Sequence, residues 1–230
     1  MAILGSKNSD QKENSKEVFH YPTSKNALLI FTRNPELGKC KTRLAKTVGD
    51  EAALNIYEFL LQHTVAITTP LQVDKFVYYS VKVRENDVWD ASIFRKKQQK
   101  GDDLGVRMQN AFTEVFEMGY ERAIIIGSDM FDMTANDLQN AFSQLEQNDF
   151  VVGPAEDGGY YLLGMKTVKP SVFNNKTWGT ETVLKDTLQD LKSEKVSILE
   201  EKNDIDYYED VKDIEAFQQF LPIHLDNKID

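Results

Sequence analysis

The chain has 230 residues, which is long enough to bury a good core in one domain. With 41% hydrophobic and 28% charged residues, and no apolar run near the roughly 18 residues of a membrane span, the composition indicates a soluble globular protein rather than a membrane protein. A formal net charge of −10 argues against a nucleic-acid partner, because affinity for a phosphate backbone comes from broad basic surface.

The first 25 residues are polar and charged after a three-residue apolar start, which is not the order of a secretory signal. We expect residues 1–25 to form a disordered leader, residues 26–222 a single domain and residues 223–230 a tail. A single cysteine, Cys40, excludes an internal disulfide and favours a reducing compartment. The expected location is therefore the cytoplasm.

Apolar stretches and helical periodicities alternate from residue 26 onward. Strands are predicted at 26–33, 74–80, 122–127, 149–155, 159–165 and 195–199, and helices at 50–67, 103–119, 134–147, 180–193 and 208–221. This alternation predicts an α/β fold with a mostly parallel central sheet and helices on both faces. The turn-rich stretch at 156–159 predicts a hairpin or a sharp crossover. Ligands of such sheets bind beyond the carboxyl ends of the strands, so chemistry is expected in the loops there.

The first predicted strand leads into a basic loop, residues 33–46, with the sequence RNPELGKCKTRLAK. Its cationic side chains are Arg33, Lys39, Lys41, Arg43 and Lys46. Phosphates are held by backbone N–H groups and by Lys and Arg near helix starts, so this loop, which also holds Gly38 and Thr42, suits a nucleotide polyphosphate. It is not a Walker loop, which needs glycine at position 33 and a hydroxyl residue at position 40. The alternative is a solvated patch that offsets local acid.

The most apolar predicted strand delivers Asp129 from its end, in the stretch IIIGSDMFD. A carboxylate at a strand tip suits Mg²⁺, which takes one or two carboxylates together with phosphate oxygens and waters. The alternative is an ordinary turn or helix-cap role. A second carboxylate is needed nearby, and either Asp204 or Asp206, after the last predicted strand, can supply it once the chain closes around the sheet.

Two further polar stretches lie at predicted strand or helix ends. In GPAEDGGYYLLG, Gly158 and Gly159 permit a ligand to approach the backbone closely, and we expect the side chains of Glu156 and Asp157 to face that ligand. Paired glycines alone are a weak signal, since any hairpin uses them. In QKGDDLGVRM, Asp102 and Asp103 stand at a helix start, where capping the helix is the competing interpretation.

Six motifs in this order resemble a known family: FTRNPELGKCKTRLA, GDDLGVRMQNAF, IIIGSDMFDMT, VVGPAEDGGYYLLG, TWGTETV and DIDYYEDV. The chain is similar to the small GT-A-type transferases associated with radical-SAM and selenium-domain proteins, within the nucleotide-diphospho-sugar transferase superfamily. Guanylyltransferases that build molybdenum-cofactor dinucleotides, and phospholactate guanylyltransferase, are distant relatives of that family. The resemblance covers about residues 26–215 and implies a GT-A, Rossmann-like fold.

The resemblance also implies roles for individual residues. It makes Asp129 the main metal ligand and Asp206 the second, for Mg²⁺ or Mn²⁺, and it assigns the nucleotide phosphates to the basic loop. Apart from the resemblance, we expect Lys41 and Arg43 to be catalytic together with Asp129. The residues assigned to the nucleotide are Arg33, Gly38, Lys39, Lys41, Arg43, Asp102 and Asp103. Those assigned to the acceptor are Glu156, Asp157, Gly158, Gly159 and Trp178, and the alternative for Trp178 is a core aromatic. The family usually has a small residue and a proline after the strand-end Asp, where this chain has Met130 and Phe131, so Asp132 is an alternative ligand.

The leading hypothesis is an enzyme that transfers a nucleotidyl group from a nucleoside triphosphate to a small phosphorylated or hydroxylated acceptor, with release of pyrophosphate. The alternative is a glycosyltransferase that uses a nucleotide-diphospho-sugar donor. A third possibility is a degenerate nucleotide-binding module without turnover. The expected partners are a nucleotide and a small-molecule acceptor, without nucleic acid or membrane. The sequence names neither the base, the sugar, the acceptor nor the oligomeric state.

Overall fold

The computed structural model describes residues 21–223. The predicted leader up to residue 20 and the predicted tail from residue 224 lie outside this range. Residues 21–25 contact the domain, because the backbone N–H of Thr23 donates to Asp74 Oδ2 at 2.8 Å and that of Glu121 donates to the carbonyl of Lys25 at 2.9 Å. Among residues 21–223, no helix combines the length and the apolar character that crossing a membrane requires.

Seven strands in the described part of the chain form one sheet. They are β1 (Asn26–Thr32), β2 (Asp74–Tyr79), β3 (Phe94–Gln98), β4 (Arg122–Ile126), β5 (Phe150–Pro154), β6 (Tyr160–Met165) and β7 (Val196–Ile198). Their order in the sheet is β3-β2-β1-β4-β6-β5-β7. All neighbouring pairs are parallel except those of β6, which runs antiparallel to both β4 and β5. The predicted hairpin is thus confirmed as the β5–β6 pair.

The helices are α1 (Thr42–Val48), α2 (Asp50–Thr68), α3 (Leu104–Glu117), α4 (Ala135–Gln147), α5 (Val183–Asp190) and α6 (Glu215–Gln218). Alternate residues of β1 face different cores, as the period of two in a strand requires. Leu28 and Ile30 pack with α2 and α4, whereas Ala27 and Leu29 pack with α3 and α5. Helices therefore cover both faces, and the predicted α/β fold with a mostly parallel sheet is confirmed.

Two elements are absent from the sequence prediction. Strand β3 has the sequence FRKKQ, whose four polar residues hide the strand period, and it lies at the sheet edge, where Lys and Arg discourage pairing with other chains. Helix α1 has only seven residues and lies inside the basic loop, so it shows too few turns for a periodic pattern.

The helix predicted at 208–221 is wrong as a single element. It is a 3-10 turn at Tyr208–Asp210 and then the four-residue α6. The Asp210 carboxylate accepts hydrogen bonds from the backbone N–H groups of Asp206 and Tyr207, which favours a turn there. Val211, Phe217 and Leu221 pack onto α1 and α2 at a spacing that one straight helix does not provide.

Candidate active site

The buried hydroxyl of Tyr57 links the carboxyl ends of β1 and β4. These strands are parallel neighbours, so Arg33 and Ser128 follow them at the same edge of the sheet. Tyr57 of α2 lies between them: its hydroxyl accepts from Arg33 N at 2.9 Å and lies 3.3 Å from both Thr32 Oγ1 and Ser128 Oγ. Burial raises the pKa of Tyr57, so the neutral hydroxyl is retained. This network fixes the floor from which the site residues project.

A buried ammonium brings the basic loop and two distant aspartates together. Lys41 Nζ lies 2.8 Å from Asp129 Oδ2 and 3.1 Å from Asp206 Oδ1. Arg43 reaches the other oxygen of Asp206 at 2.8 Å. The Lys41 side chain is only 5% exposed, whereas those of Asp129 and Asp206 are 37% and 29% exposed. The backbone of Lys41 is left-handed, with φ of 46°, which turns the chain into α1.

The charges in this cluster shift one another's pKa values. Burial alone would lower the pKa of Lys41, but the carboxylates of Asp129 and Asp206 outweigh burial and raise it above its ordinary value. Asp206 likewise raises the pKa of Arg43. Burial, followed by the charges of Asp129 and Asp206, raises the pKa of Asp204 to about 6. Lys41 and Arg43 are therefore permanently cationic, and Asp204 keeps its proton to a higher pH than an ordinary Asp.

Two small features position the aspartates. A Cβ atom on Gly127 would lie 2.8 Å from Asp129 Oδ1, so glycine leaves room for that carboxylate. The loop that carries Asp206 is held by Asp210, which accepts the Asp206 N–H at 2.8 Å and the Asn203 side-chain amide at 2.9 Å. From the sequence, Glu209 and Asp210 are expected only to favour the dipole of a helix that starts there. In the structure Asp210 instead holds a local turn by accepting from the backbone N–H groups of Asp206 and Tyr207.

The cluster borders a cleft with two compartments. The polar compartment has a volume of about 620 Å³ and is lined by four cations, Arg33, Lys41, Arg43 and Arg107. The apolar compartment, about 250 Å³, lies towards β5, β6 and the segment before α5. Residues that line both are Phe31, Leu104, Gly127, Asp129, Asp157, Gly179 and Asp204. The two compartments are thus adjoining halves of one cleft at the carboxyl ends of the strands.

Many of the predicted site residues line this cleft. Those in the polar compartment are Arg33, Lys41, Arg43, Asp129 and Asp206. Those in the apolar compartment are Asp157, Gly159 and Trp178. Asp204, one of two candidates for the second carboxylate, lines both compartments, whereas the ion pairs to Lys41 and Arg43 are made by Asp206. Their roles stay predictions, but their common location is a property of the fold.

Other predicted nucleotide ligands do not line either compartment. Lys39 is 72% exposed and pairs with Glu36 at 2.7 Å, because the turn at Gly38 directs it to solvent. Asp102 is exposed, and Asp103 caps α3 by accepting from Val106 N at 2.9 Å. The helix-cap interpretation of Asp103 is the one that the structure supports.

The acceptor prediction needs similar corrections. Glu156 is exposed and lines neither compartment. Gly158 also lines neither compartment. A Cβ there would lie 2.4 Å from the carbonyl oxygen of Glu181, so this glycine lets the β5–β6 turn pack against the segment before α5. Asp132, the alternative metal ligand, is exposed and outside both compartments.

Phe131, in place of the family's proline, packs into an aromatic cluster. Its ring centroid lies 4.8 Å from that of Phe217 and 5.2 Å from that of His63. Met130 is 2% exposed in the core. The departure is therefore accommodated by packing below the cleft, and Asp129 still faces Lys41.

Sequence reasoning missed several lining residues of the polar compartment, among them Ser80, Gln99 and Arg107. Ser80 and Gln99 follow β2 and β3, and Gln99 could not be located because β3 itself was missed. Arg107 lies one turn inside α3, where its Nε donates to the carbonyl of Gly101 at 2.8 Å. The sequence does contain a signal for Arg107: it is a cation in the first turns of a helix that follows a strand end.

Comparisons with solved structures agree with this fold. A "putative nucleotide-diphospho-sugar transferase" from Desulfovibrio desulfuricans G20 is 32% identical, with a TM-score of 0.73 over 80% of this chain and 83% of that one. The 4-diphosphocytidyl-2C-methyl-D-erythritol synthase of Anaerococcus prevotii DSM 20548 is 9% identical, with a TM-score of 0.53 over 85% and 97% of the two chains. Rv0371c of Mycobacterium tuberculosis H37Rv is 12% identical, with a TM-score of 0.53 over 85% and 96%. At these identities the last two show a shared fold alone.

None of the curated proteins matches the chain. The family model described as "Uncharacterized protein conserved in bacteria (DUF2064)" matches residues 64–180, which is half of the chain. The matched segment includes Asp129 and Trp178, whereas Lys41 and Asp206 lie outside it. The predicted resemblance to nucleotide-diphospho-sugar transferases is confirmed at the level of fold. This chain therefore belongs to the DUF2064 family.

Proposed function

We propose that the protein is a divalent-metal-dependent nucleotidyltransferase that uses a nucleoside triphosphate. The observation that carries the proposal is the meeting of Lys41 with Asp129 and Asp206, from three separate parts of the chain, in a compartment lined by three further cations. Four cations suit a triphosphate better than a diphosphate, because they can offset more negative charge.

The two carboxylates also fit Mg²⁺ or Mn²⁺. They accept hydrogen bonds from the same ammonium nitrogen, so one oxygen of each already lies beside a cation. Within residues 21–223 no group of three or more His, Cys, Asp or Glu side chains is arranged to hold a metal. Two carboxylates can serve Mg²⁺, which takes one or two and completes its shell with phosphate oxygens and water. When bound, such an ion would offset phosphate charge.

In the proposed reaction, an acceptor hydroxyl oxygen forms a bond to the α-phosphorus, and the bond from that phosphorus to the bridging oxygen breaks. Pyrophosphate leaves, and the hydroxyl proton passes to solvent or to a carboxylate of the site. Arg33, Arg43 and Arg107 would neutralise the phosphate oxygens, and Lys41 would join them once its carboxylates are otherwise paired. Each well-placed donor contributes about 3 kcal/mol of transition-state stabilisation.

Glycosyl transfer from a nucleotide sugar is the second candidate. It is favoured by the 32% identity to a protein described as a nucleotide-diphospho-sugar transferase. Product analysis separates the two reactions. Pyrophosphate formed from a triphosphate supports nucleotidyl transfer, whereas a nucleoside diphosphate formed from a sugar donor supports glycosyl transfer.

The test begins with a thermal-shift panel of nucleoside triphosphates and nucleotide sugars, each with and without Mg²⁺. A ligand at 100 times its Kd stabilises the folded state by about 2.7 kcal/mol, which is easily measured. Turnover of the best ligand is then compared in Asp129→Asn and Asp132→Asn, two neighbouring acids of which only Asp129 lines the cleft. We expect a loss of about 100-fold or more in the first variant and little change in the second. The absence of any Mg²⁺-dependent shift would contradict both candidate reactions.

Within the superfamily we place the chain with the small transferases associated with radical-SAM and selenium-domain proteins, on the six motifs given above. Its only cysteine, Cys40, is buried, and its Sγ donates to the carbonyl of Asn34 at 3.3 Å. Burial raises the pKa of that thiol, which keeps it protonated and unreactive. A reduced structural thiol is consistent with a cytoplasmic enzyme.

A further inference from the structure

We infer that the acceptor is an alcohol with an apolar body and without any anionic group, in particular one that is not a phosphate ester. The inference rests on the proposed function and names the substrate class of the same cleft. It follows from how the two compartments divide charge between them.

Side chains in the apolar compartment provide a largely hydrocarbon surface. Its apolar lining includes Phe31, Leu104, Met108, Tyr160, Trp178 and Val183. No Lys, Arg or His is among the described residues that line it, although four cations line the adjoining polar compartment. A volume of about 250 Å³ is at the small end for ligand pockets, so it suits the body of a small molecule.

Trp178 forms a fixed wall of this compartment. Its indole packs over Gly105 of α3 so closely that a Cβ there would lie 2.7 Å from Trp178 Cζ2. Gly105 is buried, so the ring is supported from behind. An aromatic face held in place attracts apolar groups and cations, and it offers nothing to an anion.

The charged groups of the compartment are acids. Asp129, Asp157 and Asp204 line it where it meets the polar compartment. Thr180, Tyr160 and Tyr161 add hydroxyls, of which those of the tyrosines donate to Met108 Sδ and to the carbonyl of Glu200. Carboxylates accept hydrogen bonds from a hydroxyl group or attract a cation, but they repel a phosphate or a carboxylate. Even if a divalent ion bound Asp129, the carboxylates of Asp157 and Asp204 would remain where the two compartments meet. An anionic acceptor would therefore lose its hydration next to like charge and without a cation partner.

The experiment compares alcohols with their phosphate esters as matched probes. Choline with phosphocholine, glycerol with glycerol 3-phosphate, and 2-phenylethanol with its phosphate span cationic, polar and apolar bodies. Binding is measured by calorimetry, at millimolar concentrations, to the protein alone and to the protein loaded with Mg²⁺ and a nonhydrolysable nucleoside triphosphate analogue. We expect 2-phenylethanol to bind more tightly than glycerol, and the ester of each alcohol that binds to bind at least tenfold more weakly than that alcohol. Binding of glycerol alone would contradict the apolar body.

Neighbouring acids provide the control variants. Both acids are exposed, but Asp157→Asn removes a carboxylate that lines the compartment, whereas Glu156→Gln removes one that does not. The preference for the alcohol should fall in the first variant and stay unchanged in the second. Equal or tighter binding of the esters, or no binding of any alcohol, would overturn the inference. The measurement on the protein alone tests binding in the apolar compartment even if the nucleotide fails to bind. Failure of this inference can therefore be distinguished from failure of the proposed function.

Discussion

Replacing Lys41 with methionine tests the central ion cluster most directly. Methionine keeps the length and apolar stem of the side chain and removes the ammonium that lies between Asp129 and Asp206. At an effective dielectric constant of about 20, a contact near 3 Å corresponds to a Coulomb energy of about 5 kcal/mol, most of which is offset by the desolvation of the buried ammonium. The variant loses the attraction and leaves two carboxylates facing each other.

The expected loss is smaller than for a fully buried pair. Breaking such a pair costs about 3–5 kcal/mol. Here the carboxylates of Asp129 and Asp206 are 37% and 29% exposed, so water screens the repulsion left behind. We therefore expect Lys41→Met to lower the free energy of unfolding by about 2 kcal/mol, which corresponds to a decrease in Tm of about 4–8 °C for a protein of this size. Lys39→Met is the matched control, because Lys39 is exposed and its removal should leave the Tm nearly unchanged.

Mg²⁺ makes the test sharper. In the Lys41→Met variant Asp129 loses its ion-pair partner and Asp206 keeps only Arg43, so Mg²⁺ should bind the two carboxylates more tightly than in the unmodified protein, where the ammonium competes. Thermal unfolding with and without millimolar Mg²⁺ should show a larger stabilisation of Lys41→Met than of either the unmodified protein or Lys39→Met. Adding Asp129→Asn to Lys41→Met should restore much of the stability and abolish the Mg²⁺ effect. An equal response to Mg²⁺ in all variants would refute the idea that these carboxylates form a cation site.

The remaining predictions concern residues around the cluster. The pKa of Asp204 is raised from 3.8 to about 6, so the folded state retains a proton that the unfolded chain loses between these values, and stability falls as pH rises through this window. Asp204→Asn removes that penalty, so it should match the unmodified protein near pH 4 and exceed its stability by about 1–2 kcal/mol at pH 7.5 in urea unfolding, after allowance for solvent screening. Gly127→Ala should displace Asp129 and weaken Mg²⁺-dependent nucleotide binding, whereas Gly119→Ala, at a left-handed position in open space, should lower Tm without changing that binding. Tyr57→Phe should destabilise the protein by about 1–2 kcal/mol, because Arg33 N–H loses its buried partner; an unchanged urea midpoint would contradict that role for the hydroxyl.

The predictable part of the fold is the part with strong periodicity. β1, β2 and β4 are apolar runs that pair in parallel, and α3 and α4 have one clear apolar face. Elements that depend on tertiary contacts were not predictable. β3 forms because β2 offers it a paired edge, and the C-terminal segment breaks because its apolar residues follow the surface of α1 and α2.

The same division applies to the site. Strand ends point to the basic loop, to Asp129 and to the β5–β6 turn, because a parallel sheet places them at one edge. Sequence patterns do not distinguish Lys39 from Lys41. Between these two residues Cys40 is buried against the carbonyl of Asn34, so one lysine is directed outward and the other inward. The pairing of Lys41 with Asp206, 165 residues apart, arises only when the C-terminal segment packs on α1.

This pairing explains why an acidic chain collects positive charge in one loop. A site that is to hold a metal ion and a triphosphate needs carboxylates close together, and close carboxylates repel each other while the site is empty. An ammonium of raised pKa stays charged at any physiological pH, so Lys41 can balance Asp129 and Asp206 until another cation replaces it. Because that replacement would release the ammonium beside the three arginines of the polar compartment, metal binding should strengthen the phosphate site as well as complete it. Nucleotide affinity should therefore rise with Mg²⁺ concentration in the unmodified protein, and by a smaller factor in Lys41→Met, where there is no ammonium to release.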